Sequence, residues 1–293
     1  MTSAPDRLRA LLAPPGLHVM PCCYDALSAR LIEDAGFRLT FMSGFAVSAT
    51  RLGAPDTGLI SYGEMVDQGR RICEATRLPV LGDGDTGYGN AMNVRRTVAG
   101  YARAGFAAVM IEDQVMPKRC GHTRGKAVVD REEAFDRIRA AVDARDEEAD
   151  ILILARTDAR EAHGLDEAIA RARRFAELGA DILFVEAPHS VDEMRAICAE
   201  VPGLQMANMV EGGRTPVLPA DVLAELGYRI AAYPLTLLSA SLDAMRRALA
   251  ALRDGLPPAE GLTDFETLKR AVGFDAYYAT EARYARDRDP AGE

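Results

Sequence analysis

An α/β barrel of eight parallel strands, the (β/α)₈ or TIM-type barrel, with extra C-terminal helices, is the fold this sequence predicts. Three observations point there. Apolar runs of strand length alternate with amphipathic helical stretches about eight times along the 293 residues. Such alternation builds a parallel sheet with right-handed crossovers, and eight units are the count that closes into a barrel. Most of the runs end in a polar or charged residue, at the strand ends where barrels of this kind carry their active sites. An open doubly wound sheet is the alternative. A dinucleotide-binding sheet would carry GxGxxG after its first strand, and this chain has none there.

Each element follows in order. Residues 5–13 read as a short helix stopped by Pro14-Pro15-Gly16. The first strand is His18–Cys23, closed by Tyr24-Asp25, and a helix over 26–35 follows with Gly36 as its C-cap. The second strand, Leu39–Met42, ends at Ser43-Gly44 and leads to a helix over 62–76. The third, Pro79–Leu81, ends at Gly82-Asp83-Gly84-Asp85, before a helix over 91–104. The fourth, Ala107–Ile111, ends at Glu112-Asp113, and a helix covers 131–147. The fifth, Ile151–Leu154, ends at Arg156-Thr157-Asp158, with a helix over 166–178. The sixth, Ile182–Val185, ends at Glu186, with a helix over 191–200. The seventh, Leu204–Ala207, ends at Asn208, with a helix over 219–226. The eighth is Arg229–Tyr233, and a last helix covers 235–254. Asp166 and Asp192 stand where helices start, and Gly105, Gly179 and Gly227 where they stop. Residues 1–254 are expected to form the catalytic barrel. Residues 255–293 form a helical extension, packed on the same barrel or swapped to a neighbour.

The composition is 48% hydrophobic and 27% charged, ordinary for a chain with a large core. The net charge of −9 argues against a nucleic-acid partner. Five cysteines, an odd number at irregular spacing, fit reduced thiols rather than a disulfide framework. No apolar leader opens the chain and no stretch is long enough to span a membrane, so the expected location is cytoplasmic.

The densest chemistry lies in Gln114–Lys126, which holds Lys118, Arg119, Cys120, Gly121, His122 and Arg124. A thiol among cationic side chains is shifted towards thiolate, which primes Cys120 for proton transfer or attack. As a nucleophile it would need His122 as base. As a general acid it would protonate a carbanion, with Lys118, Arg119 and His122 holding an anionic substrate. The plainer alternative is a basic surface loop with an incidental cysteine. Asp83, Asp85 and Glu112 end neighbouring strands, and Asp56 lies in a loop that could join them. Hard oxygen donors without His or Cys suit Mg²⁺, with Mn²⁺ as the alternative. Helix capping or pairing with arginine is the structural alternative for each acid taken alone. Arg156 and the backbone around Ser43-Gly44 are candidates for oxyanion stabilisation. The alternative for Arg156 is to do no more than neutralise the acids. His18, His163 and His189 belong to no constellation.

With these residues placed, residues 15–250 resemble the isocitrate lyase/phosphoenolpyruvate mutase superfamily. The resemblance rests on Tyr24-Asp-Ala-Leu-Ser-Ala29, Ser43-Gly44, Asp83-Gly-Asp-Thr-Gly-Tyr-Gly-Asn90, Ile111-Glu-Asp-Gln114, Lys118-Arg-Cys-Gly-His122, Ala155-Arg-Thr-Asp-Ala159, Glu186-Ala187 and Asn208-Met-Val-Glu-Gly-Gly213. Lys118–His122 looks like the mobile lid of the lyase branch, which includes 2-methylisocitrate lyases, 2,3-dimethylmalate lyases and the petal death protein. The resemblance implies Mg²⁺ bound chiefly through Asp85, with Asp56, Asp83 and Glu112 acting through waters. It implies cleavage of a 2-hydroxy (2-alkyl) di- or tricarboxylate into a 2-keto acid and a second carboxylate. Arg156 would hold the keto acid, Tyr24 would serve as base, and Cys120 would protonate the enolate. Ser43, Gly44, Phe45, Arg119, Gly121, Glu186 and Asn208 would contact substrate. Phe45 and Asn208–Gly213 depart from the methylisocitrate pattern, Ser-Gly-Gly and Asn-Ile-Thr-Glu-Phe-Gly, and favour smaller 2-alkylmalates. A carboxyphosphonoenolpyruvate-type phosphonomutase, an oxaloacetate decarboxylase and a non-catalytic ligand binder are the alternatives. A homotetramer, a dimer of helix-swapped dimers, is implied as well.

Overall fold

The computed structural model describes residues 2–119, 125–257 and 261–284. Eight parallel strands close in chain order: β1 (His18–Cys23), β2 (Thr40–Met42), β3 (Val80–Asp83), β4 (Ala108–Glu112), β5 (Leu152–Thr157), β6 (Ile182–Val185), β7 (Leu204–Asn208) and β8 (Ile230–Tyr233). β8 pairs back onto β1 with Ile230 opposite His18, which completes the barrel. The β4–β5 register sets Glu112 beside Arg156.

The helices are α1 (Ala4–Leu12), α2 (Ala26–Asp34), α3 (Gly44–Val47), α4 (Tyr62–Ala75), α5 (Ala91–Ala104), α6 (Arg131–Glu148), α7 (Ala159–His163), α8 (Leu165–Glu177), α9 (Val191–Glu200), α10 (Ala220–Leu226), α11 (Thr236–Arg253), α12 (Phe265–Val272) and α13 (Phe274–Glu281). A π turn over Ser48–Leu52 continues α3. Asp25 caps α2 in a reciprocal pair with Ser28, and Gly105 and Gly227 end α5 and α10 at φ 99° and 106°. Asp166 and Asp192 stand in the first turns of α8 and α9 rather than at the caps, which are Gly164 and Ser190. Acids in a first turn still complement the helix dipole.

Side-chain alternation divides the core into layers. Leu152 and Leu154 of β5 pack inside the barrel with Met20, Leu81, Phe184 and Met206, while Ile153 and Ala155 face the helices. α1 adds Leu8, Leu11 and Leu12 to the interior cluster, and Arg229 ties the end of α1 down by donating to the carbonyls of Leu12 and Gly16. The same alternation turns Arg156 inward at the C-terminal end of β5.

The chain divides into two compact units, residues 1–239 and 240–293. The division falls within α11. In the second unit, α12 is capped by Asp264 and ends at Gly273, where α13 begins. Among the described residues, no helix is long and apolar enough to cross a membrane.

Candidate active site

The strand ends at the C-terminal mouth of the barrel gather a buried set of charges. Asp83, Asp85, Glu112 and Asp56 are all buried, the last reaching in from the loop after the π turn. Asp85 holds its backbone at φ 49°, unusual for a residue with a side chain. That turn lets its N–H donate to Asp83 Oδ1 at 3.1 Å, while its carbonyl accepts from the Glu112 N–H at 2.9 Å. Tyr101 donates its hydroxyl to the Asp83 carbonyl at 2.6 Å and fixes the loop from below. Gly44 is required beside it, since a Cβ there would lie 2.3 Å from Asp83 Oδ2.

Lys118 reaches into this cluster. Its Nζ stands 2.6 Å from Asp56 Oδ1 and 2.8 Å from Asp85 Oδ1, with 3% of the side chain exposed. Burial alone would push the ammonium pKa down. Asp85, Asp83, Asp56 and Glu112 outweigh burial and hold it well above the usual range. Burial raises Asp83, reinforced by the charge of Asp85 and opposed by Lys118 and Arg156. Burial also raises Glu112 well above the usual carboxylate range, against the pull of Arg156.

Arg156 is the second cationic centre. Its Nε lies 2.8 Å from Asp158 Oδ2 and its Nη2 2.9 Å from Asp158 Oδ1. Glu112 Oε2 and Glu186 Oε2 each stand 3.3 Å from the guanidinium, which also lies over the Phe184 ring at 5.4 Å. Asn208 donates to Glu186 Oε2 at 3.3 Å. Arg156 thus neutralises the acids and also presents charge to the cleft.

One cleft takes in these groups. Asp56, Asp83, Glu112, Lys118, Arg156 and Glu186 line its polar side. Phe41, Phe45, Phe184, Met206, Val210 and Leu235 line its apolar side. Ser43, Arg119 and Asn208 also line it, and Gly44 does not. Ser43 caps α3 by accepting from the Ala46 N–H at 3.3 Å. The backbone of Arg119 is clamped by the Gln114 side chain, which accepts from its N–H and donates to its carbonyl, both at 2.9 Å. Cys120, Gly121 and His122 lie outside the described residues. Tyr24, expected as the base, does not line the cleft. It is half-buried and packs against the layer between strands and helices. Cys22 of the same strand is the residue on the cleft wall, and burial raises its thiol pKa far above the usual value. Asp113 and Lys126 have no role in the sequence reading, and Asp158 stands there only as a strand end at the mouth. Asp158 had one legible signal: it stands two residues after Arg156, on the same face of the strand end.

The donor set fits a hard divalent cation. Among the described residues, Asp85 Oδ2 and Glu112 Oε1 are buried oxygens without a hydrogen-bond partner, and Asp56 and Asp83 stand beside them. Among the described residues, no three Asp, Glu, His or Cys side chains converge closely enough to hold an ion directly. A site of few direct ligands, the rest acting through waters, is the arrangement Mg²⁺ favours.

The model of the family described as phosphoenolpyruvate phosphomutase matches residues 8–253. A 2,3-dimethylmalate lyase of Eubacterium barkeri is 42% identical over 285 residues, covering 96% of this chain and 98% of the relative. A chloroplastic carboxyvinyl-carboxyphosphonate phosphorylmutase of Arabidopsis thaliana is 41% identical, covering 98% of this chain and 86% of the relative. A crystal structure of 2,3-dimethylmalate lyase, described as a PEP mutase/isocitrate lyase superfamily member, superposes with a TM-score of 0.92 at 38% identity, covering 100% and 99% of the two chains. A phosphonopyruvate hydrolase solved with oxalate and Mg²⁺ superposes at 0.86 with 30% identity, covering 97% and 100%.

Proposed function

This chain belongs to the phosphoenolpyruvate mutase family, and we propose that within it the chain is a Mg²⁺-dependent carbon–carbon lyase acting on a 2-hydroxy di- or tricarboxylate. The products are a 2-keto acid such as pyruvate and a second carboxylate. One observation carries the reading: among the described residues, Glu112 Oε1 in the cleft with Arg156, and Asp85 Oδ2 on the turn bonded to Glu112, are buried carboxylate oxygens without hydrogen-bond partners. Asp85 would hold the ion directly, with Asp56, Asp83 and Glu112 arranging its waters. When bound, Mg²⁺ supplies Lewis-acid polarisation of the substrate's 2-oxygen and carboxylate.

The protein's own residues do the rest. Arg156 adds positive charge where the keto acid forms. Lys118 and Arg119 offer charge to the second carboxylate. Ser43, Gly44 and Phe45 shape the wall, and Glu186 and Asn208 form the opposite side. A base takes the C2 hydroxyl proton, and Tyr24, at the end of β1, is the candidate for it. Cys120, in its cationic stretch with Gly121 and His122, protonates the enolate carbon of the departing product. The chain works in the cytoplasm as a homotetramer, with no nucleic acid and no membrane as partner. The exposed apolar rows of α11 and α12 support an assembly through the C-terminal helices.

The test is pyruvate release with Mg²⁺ from 2-methylisocitrate, 2,3-dimethylmalate, citramalate and oxaloacetate, run on the wild type and Cys120→Ser. The expected outcome is cleavage of one hydroxy acid, reduced at least about a hundredfold by the substitution. Cleavage of oxaloacetate alone, indifferent to Cys120, would make the chain a decarboxylase. The 41% identity to a phosphorylmutase favours phosphonate substrates as the second reading. Silence on the panel with Mg²⁺ still bound would select it.

A further inference from the structure

We propose that Lys126 is a positioning residue for Arg156, acting through Asp158. The inference rests on the reading that Arg156 meets the anionic ligand. Lys126 Nζ lies 2.9 Å from Asp158 Oδ1, and the two side chains are 1% and 0% exposed. The same oxygen accepts from Arg156 Nη2 at 2.9 Å, and Asp158 Oδ2 accepts from Arg156 Nε at 2.8 Å. One carboxylate therefore sets the plane of the guanidinium and shares its charge with a second cation.

The clamp is itself built in. Asp113 accepts from the Asp158 N–H at 2.9 Å and from Thr157 Oγ1 at 2.7 Å. Arg171 donates to Asp113 at 3.0 Å, to the Val129 carbonyl at 2.9 Å and to Glu167 at 2.8 Å. The backbone around Lys126 is pinned to the same strand end. Val115 N–H donates to the Ala127 carbonyl at 2.8 Å, and Val129 N–H to the Asp113 carbonyl at 2.9 Å. Lys126 cannot follow Asp158 by sliding, and Asp158 cannot turn away from Arg156.

Charge explains why the lysine is there. Arg156 faces Asp158, Glu112 and Glu186. An anionic ligand competes with all of them for one guanidinium. Lys126 takes part of the Asp158 charge, so more of the Arg156 charge is left for the ligand. A buried methionine in its place keeps the volume and removes one positive charge in a setting where screening is weak. Asp158 keeps its paired contact with Arg156, so the fold loses little, while the Asp158 charge that Lys126 shared falls on Arg156 alone.

The test uses oxalate as the probe, titrated calorimetrically into the Mg²⁺-loaded protein. Lys126→Met is expected to weaken oxalate binding about tenfold, the size of one charge-assisted contact. Lys126→Arg is expected to recover most of that loss. In an Asp158→Asn background the same Lys126→Met change is expected to alter affinity less than about twofold, because the charge it balances is gone. Melting temperatures of all variants report folding separately. Oxalate affinity of Lys126→Met within about twofold of wild type would overturn the inference, as would an equal loss in the Asp158→Asn background. Failure of the lyase reading shows elsewhere, as silence of the hydroxy-acid panel while oxalate still follows this pattern.

Discussion

In β5 of the barrel, Leu152 and Leu154 are 3% and 0% exposed, whereas in α11 the residues Leu242, Met245, Leu249 and Leu252 are 44%, 54%, 64% and 60% exposed. Both sets are apolar and regularly spaced. The strand residues alternate and fill a closed interior. The helix residues fall at intervals of three and four, the spacing of a seam that meets another helix. α12 repeats the pattern with Phe265, Leu268 and Val272 exposed, and none of α11, α12 and α13 contains a buried residue. The difference teaches where each unit finds its partner. The barrel satisfies its apolar pattern within residues 1–239, and every described site residue belongs to it. The helices of 240–293 carry a pattern that matches an interface rather than a core.

The sharpest break comes at the mouth of the barrel. Asp85→Asn keeps the shape of the side chain and removes its charge from beside Lys118. Mg²⁺ affinity is expected to fall at least about a hundredfold, and turnover with it, while the barrel stays folded. Calorimetric Mg²⁺ titration measures the first and the pyruvate assay the second. A variant that still binds Mg²⁺ like wild type would remove Asp85 from the metal site.

The next break is in the barrel interior. Leu154→Ala empties a fully buried position between the strands. The expected loss is about 2–5 kcal/mol of unfolding free energy, from lost transfer energy plus the cavity left behind. Denaturant unfolding at fixed protein concentration measures it. A loss under about 1 kcal/mol would mean the interior collapses around the gap.

These two positions differ in how far the sequence revealed them. The fold was legible because alternation and strand-end polarity repeat in every unit, so one misplaced boundary changes little. α3 and α7 were not foreseen, since four- and five-residue helices are too short to show a period. Asp83, Asp85, Glu112, Arg156, Glu186 and Asn208 were legible as strand ends of one mouth. The contacts that organise the site were not legible at all. Lys126 meets Asp158 across 32 positions and Arg171 meets Asp113 across 58, distances at which local pattern carries no information.

The smallest effect on the barrel, and the one that separates the two units, is expected from Leu249→Glu. Leu249 is 64% exposed within its own chain, so its replacement should change the barrel's unfolding free energy by no more than about 0.5 kcal/mol. If the α11 seam meets another copy of the chain, the same substitution puts a charge into an apolar contact. That contact would then lose both its packing and its cheap desolvation. The wild type is expected to scatter light as an assembly several times the mass of 31.6 kDa, and Leu249→Glu as a smaller species that still binds Mg²⁺. A wild type that runs as a single chain, or a variant of unchanged mass, would show that the exposed seam serves no contact between copies. Because an assembly that forms only between folded chains adds stability by mass action, the melting temperature of the wild type alone should rise with protein concentration.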